Sequence, residues 1–335
     1  MRRSLHLILI IFAVMPALCR AQAYQNLALE GGGIRGIAYC GAFEVLEARG
    51  ILNSIDQVAG TSVGAVAGVL LSVGYRPGEI RALLYELRVQ TFNDGRWIFF
   101  GGQQRMRRQY GWYRGDALEH WLEAKIAAKT GRSHLDFEGL HKLRLSSPEH
   151  KDFFATATNL SKQRVEVFSW KSRPKMELAV AVRTSMSVPL YFRAMQLDSN
   201  GQKSASGDVY VDGGLVMNFP LTIFDSSGVN ARTLGLKLER RAQLEQYKTG
   251  TDIAPYRISK LTDYVSALYN LTIETLNRRG DMNEERSRTI YISTLDMNPR
   301  VRKITTDQKN MLYQSGYSAA ENFFRRKHDG NAQDK

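Results

Sequence analysis

The 335-residue chain is poor in the residues that most often cross-link or metallate a protein: it holds two cysteines and six histidines. Cys19 lies in an N-terminal apolar stretch that reads as a removable leader, which leaves Cys40 without a partner. An intramolecular disulfide framework is thereby excluded, and the mature fold must stand on its core. Cys40 sits within an apolar helical pattern and reads as a buried, inert thiol. Proline is also scarce, with eight residues in all, and no Pro/Ser-rich linker, repeat or low-complexity tract divides the chain. One domain is expected, with ample material for a buried core.

Long apolar runs are almost missing too. The one candidate, Leu5 to Leu18, is broken by His6 and Pro16 and is too short to span a bilayer comfortably. It follows Arg2 and Arg3 and precedes Ala21-Gln22-Ala23, so residues 1–23 carry the three parts of a secretory signal peptide. Export to the periplasm or medium is the expectation. Leu18 is too large for the small residue that usually precedes a lipidated cysteine, which disfavours a lipoprotein reading of Cys19.

Acid is the scarcer charge. Lysine and arginine number 46 against 33 acids, a net charge of +13, and loss of the leader with Arg2, Arg3 and Arg20 lowers it to +10. Such a surface suits anionic lipid headgroups as well as plain solubility. No nucleic-acid-binding motif is present, so no nucleic-acid partner is expected.

What the chain does have is an orderly α/β start. Leu27-Ala28-Leu29 forms a short apolar strand stopped by Gly31, Gly32 and Gly33. A helix is predicted from about Arg35 to Ala48, then a strand in "IDQVAG", then an apolar helix ending at Gly74. Strand alternating with helix argues for a parallel sheet. The second helix is apolar nearly all round and is predicted to be buried. Further strands are predicted at "DFFATATNL", "QRVEVFSW", "FRAMQLD", "DVYVDGG", "ARTLGLKL" and "RTIYIST", with helices at "PGEIRALLYEL", "GDALEHWLEAKIAAKTG", "ISKLTDYVSALYNLTIETLNRRG" and near the C-terminus.

The second strand runs into Gly60-Thr61-Ser62-Val63-Gly64, a G-x-S-x-G pentapeptide that often marks a serine nucleophile on a sharp strand-to-helix turn. A serine needs a base. In the usual hydrolase order an acid and then a histidine follow the serine, and only His328 lies late enough, in the charged segment "RRKHDGNAQDK". A frayed tail orients a catalytic histidine poorly. Asp212 is the better candidate, because an alternating strand ends there beside Gly213 and Gly214 and can present its carboxylate at the sheet edge that carries Ser62. By itself the triplet reads more readily as a plain turn after a strand. Burial would raise the basicity of Asp212.

The loop Glu30 to Gly36 opens the first helix with Gly31, Gly32, Gly33 and Gly36, a nest of backbone N–H groups suited to an oxyanion or phosphate, with Arg35 as a nearby cation. The same glycines match a dinucleotide fingerprint. That fold wants an acid at the end of the second strand, where Thr61 and Ser62 stand instead, so no nucleotide is expected.

Taken together, "GGGIRG", "GTSVG" and "DGG" resemble the bacterial branch of the patatin-like phospholipase family. The resemblance extends to "AVRTSMSVPLYFRAM" and "DGGLVMNFP" and covers roughly Leu27 to Leu221. Glu30 departs from it, standing where members often carry Asp. The resemblance implies a three-layer α/β/α sandwich with a mostly parallel central sheet and a helical C-terminal part. It also implies a histidine-free dyad of Ser62 as nucleophile and Asp212 as base, with Gly31, Gly32 and Gly33 as oxyanion donors and no cofactor. The organisation expected is a leader over 1–23, an acyl hydrolase domain over 24–225, a strand and helix extension over 226–326 and a polar tail over 327–335. The substrate implied is a phospholipid or another lipid ester. A non-catalytic lipid-binding or interaction protein on the same fold is the alternative, though it would need none of the three motifs.

Two further stretches stand out. Between Phe92 and Arg114, Trp97, Phe99, Phe100, Tyr110, Trp112 and Tyr113 interleave with Arg96, Arg105, Arg107 and Arg108, which suits either core packing or a lid and bilayer contact. In "SHLDFEGLH", His134 and His141 lack clear metal-ligand spacing and read as solvated surface residues.

Overall fold

A computed structural model of the chain describes residues 24–95, 98–249, 253–259, 261–277, 282–297 and 304–333. The leader read at 1–23 and the pair Arg96 and Trp97 lie outside the described residues. The strands are β1 (Asn26–Leu29), β2 (Gln57–Gly60), β3 (Gly111–Tyr113), β4 (Asp152–Asn159), β5 (Arg164–Phe168), β6 (Leu190–Phe192), β7 (Met195–Leu197), β8 (Asp208–Asp212), β9 (Thr233–Glu239) and β10 (Thr289–Ser293). The α-helices are α1 (Ala38–Ala48), α2 (Val63–Ser72), α3 (Pro77–Glu86), α4 (Ile98–Gln109), α5 (Asp116–Thr130), α6 (Phe137–Ser146), α7 (Leu178–Ser185), α8 (Arg241–Thr249), α9 (Leu261–Asn277), α10 (Met282–Ser287) and α11 (Thr306–Gln333).

The central sheet has the order β10-β9-β1-β2-β4-β8-β7, with β5 added to β4, while β3 and β6 form a separate short pair. From β10 to β4 every pairing is parallel. Buried residues on both faces explain the apolar runs in these strands: Leu27, Leu29, Val58, Leu234 and Leu236 have no accessible surface. The segment read as a C-terminal extension therefore completes the sheet, since β9 pairs directly with β1.

Register fixes the working edge. Leu29 lies level with Gly60 and Leu236, and Gly60 with Ala155, so β1 and β2 end side by side while β9 runs on past them to Glu239. Strand β8 runs antiparallel to β4 and reaches that edge from the opposite direction, placing Asp212 opposite Ala157. Sequence periodicity alone does not reveal this reversal.

Helix α2 is buried from Gly64 to Ser72, as its uniform apolarity predicts. Cys40 is fully buried on α1, and burial pushes its thiol up to about 12. The charged segment expected to fray continues α11 to Gln333 instead. Within it Lys327 donates to the Tyr24 hydroxyl at 2.6 Å and lies over the Phe323 ring, so an apolar stem and aromatic partners sustain the helix.

Helices α1 and α11 touch backbone to backbone. A Cβ on Gly316 would collide with the Ala38 carbonyl, and one on Gly41 with the backbone of Tyr313 and Tyr317. Replacing Gly316 by Val should force the helices apart and lower stability by about 2–3 kcal/mol. Thermal or urea unfolding measures this; an unchanged midpoint would show that the close approach is not needed.

Candidate active site

Ser62 occupies the turn between β2 and α2 with φ 54° and ψ −123°, a region that side chains other than glycine rarely enter. Strain of this kind costs about 1–3 kcal/mol and persists only where neighbours hold it. Here they do. The Ser62 N–H donates to Ser185 Oγ at 2.9 Å, and Gly64 N–H closes the turn on the Thr61 carbonyl at 2.8 Å. The flanking glycines are demanded by contact: a Cβ on Gly60 would strike the Gly64 backbone, and one on Gly64 the carbonyls of Leu29 and Glu30.

Asp212 ends β8 and is buried, with 1% of its surface exposed. Its Oδ1 accepts the Gly214 N–H at 2.7 Å. Its Oδ2 is buried and accepts no hydrogen bond among the described residues. Desolvation pushes the carboxyl up to about 6, against smaller opposing effects from the Gly214 N–H and the Ser62 hydroxyl. The Ser62 hydroxyl is thus near enough to favour charge on Asp212, although by geometry it donates to Met186 Sδ at 3.3 Å. A turn of that hydroxyl exchanges a weak sulfur acceptor for the unpartnered carboxylate oxygen.

The glycine loop lies against the same turn. Gly31 approaches Ser62 so closely that its Cβ would stand 3.3 Å from Ser62 Cβ. Its N–H, however, donates to the Asn218 carbonyl at 2.9 Å, so Gly31 contributes close approach and not a donor. Gly32 and Gly33 differ: among the described residues no acceptor engages either N–H, and Gly33 has φ 57°. The Val63 N–H, in the first turn of α2, is in the same position and was not picked out from sequence. Gly36 is fixed by contact with the Val63 side chain, and Gly213 by contact with Thr156. Arg35 is buried and donates through Nε to the Gly32 carbonyl at 2.9 Å, so it braces the loop from behind. Burial lowers its pKa, while Glu30 and Glu239 oppose that shift.

The "TSMSVP" stretch at the end of α7 carries much of the support. Besides Ser185 and Met186, Ser187 accepts the Asp212 N–H through its carbonyl at 2.9 Å. Its hydroxyl is held by the buried Arg183 guanidinium at 2.7 Å, which also binds the carbonyls of Gly115 and Arg114 at 2.9 and 2.7 Å. Thr61 links to Thr156 at 2.6 Å and to the Met217 carbonyl at 2.9 Å.

Among the described residues no histidine side chain bonds to Ser62 or Asp212, and the side chain of His328 on α11 lies outside them. His134 is exposed, as expected, and faces Glu177 at 3.1 Å with Glu123 close by. His141 corrects the surface reading: it is mostly buried, bonded to Asp152 at 2.8 Å and stacked on Trp170 at 3.9 Å. In the aromatic stretch Phe92 is buried against Trp121 and Tyr113 packs on Tyr191, whereas Tyr110 is exposed. The side chains of Phe99 and Phe100 lie outside the described residues.

A family model described as patatin-like phospholipase matches residues 27–225. The chain is 28% identical over 305 residues to an uncharacterized protein of Acanthamoeba polyphaga mimivirus, spanning 89% of this chain and 92% of that one. It is 27% identical over 207 residues to a probable lipid hydrolase of Invertebrate iridescent virus 6, covering 60% of this chain and 63% of the relative. Among solved structures, VipD from Legionella pneumophila aligns with a TM-score of 0.58 at 18% identity, over 91% of this chain and 67% of that one, a likeness of fold.

The buried carboxyl makes a stability prediction. Because Asp212 has a folded-state pKa near 6, above an unfolded value of about 3.9, it disfavours folding increasingly as pH rises from about 4 to about 6, and fully above that. Asp212→Asn should therefore stabilise the fold at pH 7 by about 1–3 kcal/mol and have little effect near pH 4. Chemical denaturation at both pH values measures this; a variant less stable than wild type at pH 7 would contradict it.

Proposed function

Because the chain belongs to the patatin-like phospholipase family, we propose that it is an exported serine lipid acyl hydrolase. It cleaves fatty-acyl esters of phospholipids or lysophospholipids through Ser62 and Asp212. The observation that carries this reading is the buried, basic Asp212 carboxyl with an open Oδ2 beside a serine held in a strained turn.

In this reading Asp212 Oδ2 takes the Ser62 hydroxyl proton as Oγ attacks the ester carbonyl. The N–H groups of Gly32, Gly33 and Val63 receive the negative charge that develops on the carbonyl oxygen, and preorganised donors of this kind are a large part of catalytic power. The proton leaves with the alcohol, giving an acyl-serine. Asp212 then draws a proton from water, which attacks the acyl carbon, and returns that proton to Ser62 Oγ as the acyl–serine bond breaks and the fatty acid leaves. Arg35 braces the loop from behind through the Gly32 carbonyl. The basic balance of the chain favours an anionic membrane surface, and the aromatic and basic stretch around Tyr110 is the candidate contact.

Fatty-acid release from mixed phospholipid vesicles tests the reaction. Wild type should be active, with Ser62→Ala and Asp212→Asn, both folded, at least about 1000-fold slower, a loss typical of a missing nucleophile or base. The rate should climb with pH through about 6 and level off above it, since Asp212 acts only when ionised. A folded Asp212→Asn variant of near wild-type rate would place the base elsewhere. For the surface, hydrogen exchange in residues 92–114 should slow on binding anionic vesicles; unchanged exchange there rejects that contact.

A further inference from the structure

Behind the glycine loop lies a buried acid, Glu30, with 7% of its surface exposed. Its carboxylate spans two elements: Oε1 accepts from Asn218 Nδ2 at 3.1 Å and Oε2 accepts the Leu238 N–H of β9 at 2.6 Å. Its backbone adds two more ties, the N–H to the Leu236 carbonyl at 3.1 Å and the carbonyl to the Tyr39 hydroxyl at 2.5 Å.

Asn218 in turn joins the two halves of the site. It accepts the Gly31 N–H through its carbonyl at 2.9 Å and donates through Nδ2 to the Gly31 carbonyl at 3.3 Å. Its Oδ1 lies so close to Gly31 and Gly214 that a Cβ on either would strike it. The preceding Met217 carbonyl holds Thr61, the residue before the nucleophile.

We propose that Glu30 and Asn218 form a positioning pair that locks the glycine loop and the Asp212 turn in register with Ser62. The inference rests on the hydrolase reading above and adds two residues that touch no substrate. Burying an acid is expensive, and desolvation together with Glu239 raises the Glu30 pKa, against Lys237, Arg35 and the Leu238 N–H. Packing alone would be served by an apolar side chain. A buried carboxylate is of use where two donors on different elements must be held at a fixed spacing. Misplacing oxyanion donors by even a fraction of an ångström weakens their hold on the transition state more than on the substrate.

The test uses the mature protein, a soluble p-nitrophenyl butyrate substrate and thermal unfolding of every variant. Glu30→Gln sets an amide donor against either the Leu238 N–H or Asn218 Nδ2, and Asn218→Ala removes the side-chain link to Glu30 while leaving the Asn218 main-chain carbonyl on the Gly31 N–H. Each should lower kcat by about 10–100-fold with KM changed less than about threefold, the signature of an interaction that serves the transition state. In the double variant Glu30→Gln/Asn218→Asp the amide can accept from Leu238 and donate to the new carboxylate, so kcat should recover by about tenfold over Glu30→Gln alone. Should Glu30→Gln fail to fold, Glu30→Met, which keeps the length and loses both acceptors, replaces it with the same expectation for kcat. Folded single variants with kcat within twofold of wild type overturn the inference, as does a loss confined to KM or a kcat that follows stability without recovery in the double variant. A wild type inactive on the ester overturns the hydrolase reading and this inference with it.

Discussion

Everything at this site depends on one crowded crossing, where the end of β1 passes the turn that carries Ser62. The carbonyls of Leu29 and Glu30 occupy the space a Cβ on Gly64 would need, and Gly31 lies against Ser62 itself. This contact lets a backbone loop with open N–H groups sit beside the Ser62 hydroxyl. It also forces Ser62 into its left-handed conformation, which the packed helix behind it sustains. Gly64 and Gly36 are consequences of that close approach, whereas Gly31 is also crowded by Asn218 and Gly32 by Leu238.

The second constraint is the direction of β8. A strand running antiparallel to β4 delivers a carboxylate to the edge where β1 and β2 end, deep enough to be desolvated and tied to its own turn through Gly214. The same burial that makes Asp212 a better base makes it a liability for folding. A carboxylate kept at such a cost fits a chemical role better than a structural one.

Much of this was legible in the sequence. The alternation of strand and helix at the start of the chain, the buried α2 and the inert Cys40 follow from apolar periodicity and glycine placement, whereas the pairing of Ser62 with Asp212 rests largely on the family resemblance of the three motifs. The rest required long-range information. Gly31 looks like a donor until Asn218, 187 residues away, is seen to hold its N–H. His141 looks like a surface residue until Trp170 and Asp152 close over it. Helix α7 escapes notice because its run, Leu178–Ser185, is only eight residues long, too short for a helical period to stand apart from a strand. The tail at 327–335 looks frayed because its helical support comes from Tyr24 at the other end of the chain.

The central claim is that Ser62 is activated by Asp212 and not by a histidine. The most direct measurement is the site and rate of covalent labelling by a soluble fluorophosphonate, read by peptide mass spectrometry in wild type and in Asp212→Asn. The account predicts modification at Ser62 alone, with a rate that rises with pH through about 6 in wild type and is reduced to background in the folded variant. Labelling at another residue, or at Ser62 with the same rate and pH profile in Asp212→Asn, would contradict it.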